Sequence, residues 1–241
     1  MGRKLASFDL EIATEIPDGV DDWRSLRPKI SCAAIALSNG CEPLFFQGMP
    51  YMRRGACRDL VRYLQDLVGE GYQILTWNGC SFDFGVLAQE SEMYEECALL
   101  ALDHVDLMLR VTFEKGWYLS LQKALCGAGL AGKLKEVRLG DGTVVKDMDG
   151  AQAPTLWAAG ECNAVLAYLR EDVVQLLGLA KWVLANGCIR WTSNRGSPMS
   201  VQIDNLVSVR ECLAIQEPDT TWMTDPPTRA QFFRWMPNPP I

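Results

Sequence analysis

The chain has 241 residues, 49% hydrophobic and 22% charged, which is enough for one substantial core, and no apolar run reaches the ~18 residues of a membrane span. A formal charge of −7 excludes a protein that coats polyanions through a broadly basic surface, so any nucleic-acid partner has to be gripped locally. Nine cysteines without C-x-x-C spacing and a single histidine leave little for a zinc site or a Ser-His-Asp triad, although His104 could serve as a lone base. They predict reduced thiols, a cytoplasmic location and, for any metal, oxygen ligands. The first residues hold neither an apolar signal core nor a small-residue cleavage site, and no membrane partner is expected.

In Ser7-Phe8-Asp9-Leu10-Glu11-Ile12 the apolar residues alternate, predicting a strand with Phe8, Leu10 and Ile12 on one face and Asp9 and Glu11 together on the other. Two like charges roughly 6–7 Å apart on a half-buried strand repel and lose solvation unless a cation lies between them. An edge strand with a wet acidic face is the plainer alternative. Residues 14–29 are rich in Pro, Gly and Asp and read as a long connection. Two further strands flank Asn39-Gly40, giving a three-stranded antiparallel opening over residues 5–48. Leu60, Leu64 and Leu67 predict a helix over 54–69, and residues 73–79 a short buried strand ending in Asn78-Gly79.

A helix is expected over about 82–91, with Asp83 in its first turns, where an acid also complements the helix dipole. After a stretch containing His104 to Met108, the Leu-rich segment 118–132 predicts a short helix stopped by glycines. Residues 140–154 are a loop by composition. A long helix follows from about Gly160 to Ala185, on which Val165, Tyr168, Leu169, Asp172, Leu176 and Leu179 share a face. That face turns a carboxylate and a phenol toward the core, which is unfavourable unless the carboxylate is paired or metal-bound. The breadth of the apolar face, with Val173, Val174 and Leu177, leaves Asp172 at its margin as the alternative. From Gly187 the character changes to a hairpin over 188–203 and a short helix begun by Pro226-Pro227. The division is therefore a main domain, 1–186, and a C-terminal extension, 187–241, packed on it. In the extension, arginines stand beside aromatic residues, Arg190 and Arg195 near Trp191, Arg229 and Arg234 near Phe232, Phe233 and Trp235. This mixture stacks bases and holds phosphates, or simply packs the tail onto the core.

Asp9-x-Glu11, Asn78-x-x-x-Phe82-Asp83 and Tyr168-x-x-x-Asp172 resemble, in order and separation, the three exonuclease motifs of the DEDD superfamily. The third is of the tyrosine type. Where the histidine type has a His five residues before the last Asp, this sequence has Ala167. The chain thus resembles a DEDDy 3′–5′ exonuclease over roughly residues 5–185, closest to those related to the proofreading domain of family B polymerases. The resemblance implies an α/β, RNase H-like fold: a mixed five-stranded sheet with three antiparallel strands first and helices on both faces. It also implies two-metal-ion hydrolysis, with Mg²⁺ or Mn²⁺, releasing nucleoside monophosphates from the 3′ end of single-stranded nucleic acid, DNA more than RNA. Asp9 would bridge both ions, Glu11 and Asp172 would bind the one that activates water, and Asp83 would hold the second. Tyr168 would orient the water. Asn78 and Phe82 would contact the terminal nucleotide, and the backbone near Leu10 the terminal 3′-hydroxyl. An RNA 3′-end trimming ribonuclease and a non-cleaving module that holds nucleic-acid ends are the alternatives.

Overall fold

The acidic segment near the N-terminus becomes β1 (Leu5–Ile12), which is buried along almost its whole length. The computed structural model describes residues 3–17, 19–20 and 22–241. β2 (Ile30–Leu37) and β3 (Leu44–Gln47) follow antiparallel, and α1 (Arg54–Gly69) crosses back to β4 (Gln73–Thr76). Then come α2 (Asp83–Ser91), α3 (Tyr94–Asp103), β5 (Val105–Asp106), α4 (Leu107–Lys115) and α5 (Leu121–Gly127). Across the sheet the order is β3-β2-β1-β4-β5, with β4 and β5 parallel to β1, which makes the sheet mixed. The edge-strand alternative for Asp9 and Glu11 is overturned, because β1 is the middle strand of the five.

Beyond α5 lie β6 (Glu136–Arg138), β7 (Val144–Lys146), α6 (Ala153–Ala158) and the long α7 (Cys162–Asn186). The two faces of the sheet bury different helices. Phe8, Leu10 and Ile12 pack with Leu60, Leu64, Phe84 and Leu87 of α1 and α2. On the opposite face Cys32, Ala34 and Ala36 of β2 pack against Val165, Tyr168, Leu169 and Leu176 of α7. These β2 side chains are small, so α7 lies close over β1 and β2. Gly187, at φ 68°, ends the helix in the left-handed conformation and donates its N–H to the Val183 carbonyl.

Two expectations are corrected, and one stretch left without an element proves helical. Residues 140–154 are not simply a loop, because Asp141-Gly142 turns a small hairpin, with Val137 opposite Val145 in β6 and β7. The stretch around His104 is followed by a helix, α4, which the Asp106 side chain caps by accepting from the Leu109 N–H. The segment after Pro227 is a 3₁₀ turn, Arg229–Phe233, capped reciprocally by Thr228 and Gln231, rather than an α-helix.

The hairpin over 188–203 is β8 (Cys188–Thr192) with β9 (Pro198–Gln202), and a short α8 (Val209–Cys212) follows. Trp191 is buried with its ring 5.4 Å from Trp117, and Arg190 lies over the Trp182 ring. Arg229 lies 4.5 Å from the centre of the Phe113 ring and donates to the Phe113 carbonyl, so its role is packing. Phe232 and Phe233 are fully buried against Phe113. Among the described residues no helix is long and apolar enough to cross a membrane.

Candidate active site

β1 runs beside β4 only as far as Ser7, which pairs with Leu75. Past that point the pairing ends, and the Leu10 N–H has no partner on β4. The Leu10 N–H fills the vacancy with carboxylates, donating to Asp9 Oδ1 at 3.0 Å and to Asp83 Oδ1 at 3.2 Å. Asp83 is the first residue of α2 and only 4% exposed. The Leu10 N–H, expected to face a terminal 3′-hydroxyl, is thus engaged by two acids. On the other edge of β1 the register slips between Glu11 and Ile12, where Ser31 Oγ donates to both of their carbonyls. Bulges of this kind re-aim side chains. Glu11 stays buried beneath the Asp149-Gly150 turn, where a Cβ on Gly150 would stand 3.6 Å from Glu11 Oε2.

From above, α7 presents Asp172, 2% exposed, and Tyr168, 1% exposed, one turn apart. The alternative of a marginal Asp172 is excluded by that burial. Lys133, in the loop after α5, reaches in between. Its Nζ is 2.7 Å from Asp172 Oδ2 and 4.8 Å from the centre of the Tyr168 ring. The other oxygen, Asp172 Oδ1, is buried and, among the described residues, has no hydrogen-bond partner. Asp9, Glu11, Asp83, Asp172 and Tyr168 therefore come together at the point where β1 and β4 diverge.

The loop from Asn78 to Phe82 forms one wall. Both oxygens of the buried Asp106 carboxylate hold it, accepting from the N–H groups of Asn78 and Cys80. Asn78 has φ 75°, a conformation asparagine tolerates better than most residues. Gly79 could not be otherwise, since a Cβ there would fall 2.4 Å from Thr76 Oγ1. Phe82 is half-buried with its ring edge-on to Trp23, at 5.3 Å. His104 lies outside the site. It is buried between Thr76 Oγ1 and the Ala101 carbonyl, so a role as lone base is not supported.

Electrostatically the cluster sets one cation, Lys133, against four carboxyl groups. Burial, then mutual repulsion, raises the proton affinity of Glu11 and Asp83 well above the carboxylate range. Burial also raises Asp9, against the pull of Lys133, and pushes Asp172 up to about 7 despite the adjacent ammonium. Burial opposes the charge on Lys133, but Asp172 and Tyr168 outweigh it and keep the ammonium protonated. Among the described residues no three acid, His or Cys side chains are disposed to hold a metal ion as they stand. The donor chemistry nevertheless suits a hard divalent cation: four carboxylates, one of them with an unpartnered buried oxygen.

These shifts have a consequence for stability. Each carboxyl binds its proton more tightly folded than unfolded, so folding takes up protons between the unfolded value, 3.8 for an aspartate, and about 7 for Asp172. Stability contributed this way is present below the unfolded value and is lost as pH rises through the folded one. In chelator, Tm should fall by several degrees between about pH 5 and about pH 8, and Mg²⁺ should restore it at the higher pH. A melting temperature that stays flat across this range in chelator would contradict the clustering.

Lys133 was not legible as a site residue, because loop lysines carry no periodicity that marks where they point. Asp106 and Asp149 likewise act through folded geometry.

A sequence model of the RNase H superfamily matches residues 49–184, over half of the chain, and the chain belongs to that superfamily. The match includes Asp83, Lys133, Tyr168 and Asp172 and begins after the acids of β1. Among solved structures, the family B DNA polymerase from the hyperthermophilic archaeon Pyrobaculum calidifontis is similar, with a TM-score of 0.55 and 19% identity, covering 76% of this chain and 25% of that one. The chain thus spans about a quarter of the polymerase it matches, and at this identity the likeness is one of fold. No curated protein matches the chain. Superfamily membership supports a nuclease-like protein that contacts nucleic acid, in a class that generally uses divalent metals.

Proposed function

We propose that the chain is a DEDDy 3′–5′ exonuclease, metal-dependent, that releases nucleoside monophosphates from the 3′ ends of single-stranded nucleic acid, DNA favoured. The observation that carries this reading is the convergence of Asp9, Glu11, Asp83 and Asp172 around one gap in the sheet, with Asp172 Oδ1 buried and unpartnered. Asp9 would face both cations, Glu11 and Asp172 the one beside Tyr168, and Asp83 the other. Two bound divalent ions supply an activated water and stabilise the leaving 3′ oxygen.

The remaining roles fall to the chain itself. Burial and then Asp172 push the Tyr168 hydroxyl above its ordinary value, so it keeps its proton and acts by orienting the attacking water rather than by deprotonating it. Lys133 fixes Asp172 and the tyrosine relative to each other. The shared Leu10 N–H keeps Asp9 and Asp83 together. Asn78 and Phe82, on a loop pinned by Asp106, present a polar and an aromatic surface to the terminal nucleotide. The nine free thiols support a cytoplasmic location.

Single strands of DNA and RNA labelled at the 5′ end should shorten one nucleotide at a time with Mg²⁺ or Mn²⁺, and chelator should stop the reaction. Activity undiminished by chelator, or mononucleotides lost from the 5′ end, would overturn the reading. Binding without cleavage in either metal would favour the end-holding module, and faster shortening of RNA would favour the ribonuclease.

A further inference from the structure

The loop that walls the candidate site has a second side. There Ser81 lies at the edge of a cleft of about 360 Å³, open on one side, whose other walls are the 3₁₀ turn Trp23–Leu26, the residue Tyr118 and the C-terminal segment around Arg234. The size is that of a small-ligand pocket. The cleft adjoins the loop that walls the site, since Ser81 lines it and Phe82, one position past Ser81 and one before Asp83, packs edge-on to Trp23. It is also firmly built. Trp235 Nε1 donates to the Cys80 carbonyl at 2.7 Å in a buried contact, which ties the C-terminal segment to the loop. Trp235 and Trp23 both lie within 3.1 Å of where a Cβ on Gly85 would stand, so the two walls meet over the start of α2.

The chemistry of the lining is specific. Tyr118 is 52% exposed, with one side of its ring region backed by Phe232 at 6.0 Å. Arg234 is exposed and, among the described residues, makes no ion pair. Arg24 is held by Asp22, whose Oδ1 is 2.5 Å from its Nε, and Asp225 is, among the described residues, the other acid facing the cleft. Among the described residues the charges lining the cleft balance, two acids against two arginines, so it suits a group with both an apolar plane and one negative charge better than it suits a bare anion.

We propose that this cleft receives the nucleotide upstream of the 3′-terminal one, with its base stacked on Tyr118 and its phosphate held by Arg234, so that the C-terminal extension forms part of the strand-binding track. The proposal rests on the exonuclease reading for the direction of the strand. Base-on-aromatic stacking with an adjacent cation is how single strands are held without sequence preference. It also meets the need of a chain with a net charge of −7 to place its few useful cations where the strand passes. The tail arginine that matters is Arg234, because Arg229 is committed to Phe113.

The test compares wild type with Arg234→Ala and Tyr118→Ala on a single-stranded dodecamer and on an aryl ester of a nucleoside 5′-monophosphate, which has a terminal nucleotide and none upstream of it. The first readout is steady-state kinetics with Mg²⁺, and the second is fluorescence anisotropy of the dodecamer in chelator, which does not depend on cleavage. KM for the dodecamer should rise roughly 10-fold in each variant and distinctly less for the ester. Arg234→Ala should also flatten the salt dependence of dodecamer binding by about 0.7 in the log–log slope, one phosphate contact on a single strand. Equal effects on both substrates, or an unchanged slope and affinity, would overturn the cleft while leaving the exonuclease reading intact. If wild type binds the dodecamer but never cleaves it, and Arg234→Ala weakens that binding, the cleft stands and the exonuclease reading falls. A wild type that neither binds nor cleaves would overturn both.

Discussion

Replacing Asp9 by alanine should lower kcat/KM by roughly 10³-fold or more. The carboxylate would face both proposed cations, which would be worth several kcal/mol of transition-state stabilisation at about 1.4 kcal/mol per decade of rate. Fold stability should move the other way. Without metal, Asp9 repels Glu11 and Asp172, and it shares the Leu10 N–H with Asp83, which can satisfy that donor alone. In chelator the variant should therefore melt at the same temperature as wild type or higher. A clear loss of Tm would make Asp9 a structural residue and remove the main argument for a cation between the acids.

Tyr168→Phe separates a mechanism that uses the hydroxyl from one that needs only the carboxylates. If the hydroxyl orients the water, kcat under single-turnover conditions should drop roughly 10–1000-fold while metal affinity barely changes. Asp172→Asn, one turn away, removes a ligand charge and should weaken metal binding as well, so calorimetric titrations beside the kinetics distinguish the two. Lys133→Met adds a control that arises only from the folded geometry, since its ammonium touches both the tyrosine ring and the aspartate. If the two residues act as a unit, the Lys133→Met, Tyr168→Phe double variant should be about as impaired as the worse single one, because groups acting together are not additive. Multiplicative losses, or a Tyr168→Phe protein with unchanged kcat, would leave the tyrosine as a packing residue.

What could be read from the sequence was what periodicity encodes. The two-residue alternation through Asp9 and Glu11 put both acids on one face, and the three- and four-residue spacing around Asp172 put it on the packed side of its helix; both positions hold in the fold. The α1 helix was legible to the residue, from Leu60, Leu64 and Leu67. The helices α3 and α4 were not. α3 begins three residues after α2 ends and is apolar nearly all round, and α4 carries Val111, Thr112 and Phe113, residues that favour strands. The β6–β7 hairpin was hidden by its polar composition, although Asp141-Gly142 between Val137 and Val145 was a usable turn signal. The central place of β1 depended on which strands flank it, and the position of Lys133 on how a loop folds back. Neither is a local property of the chain.

The bond from Trp235 to Cys80 links residues 155 positions apart. Its consequence is temporal. As the chain leaves the ribosome, the five strands and all four acidic residues emerge before the segment that braces the loop behind Asn78 and Phe82. A growing polypeptide long enough to hold all four acids thus still lacks one wall of its cleft, and that wall is put in place only once Trp235 has emerged.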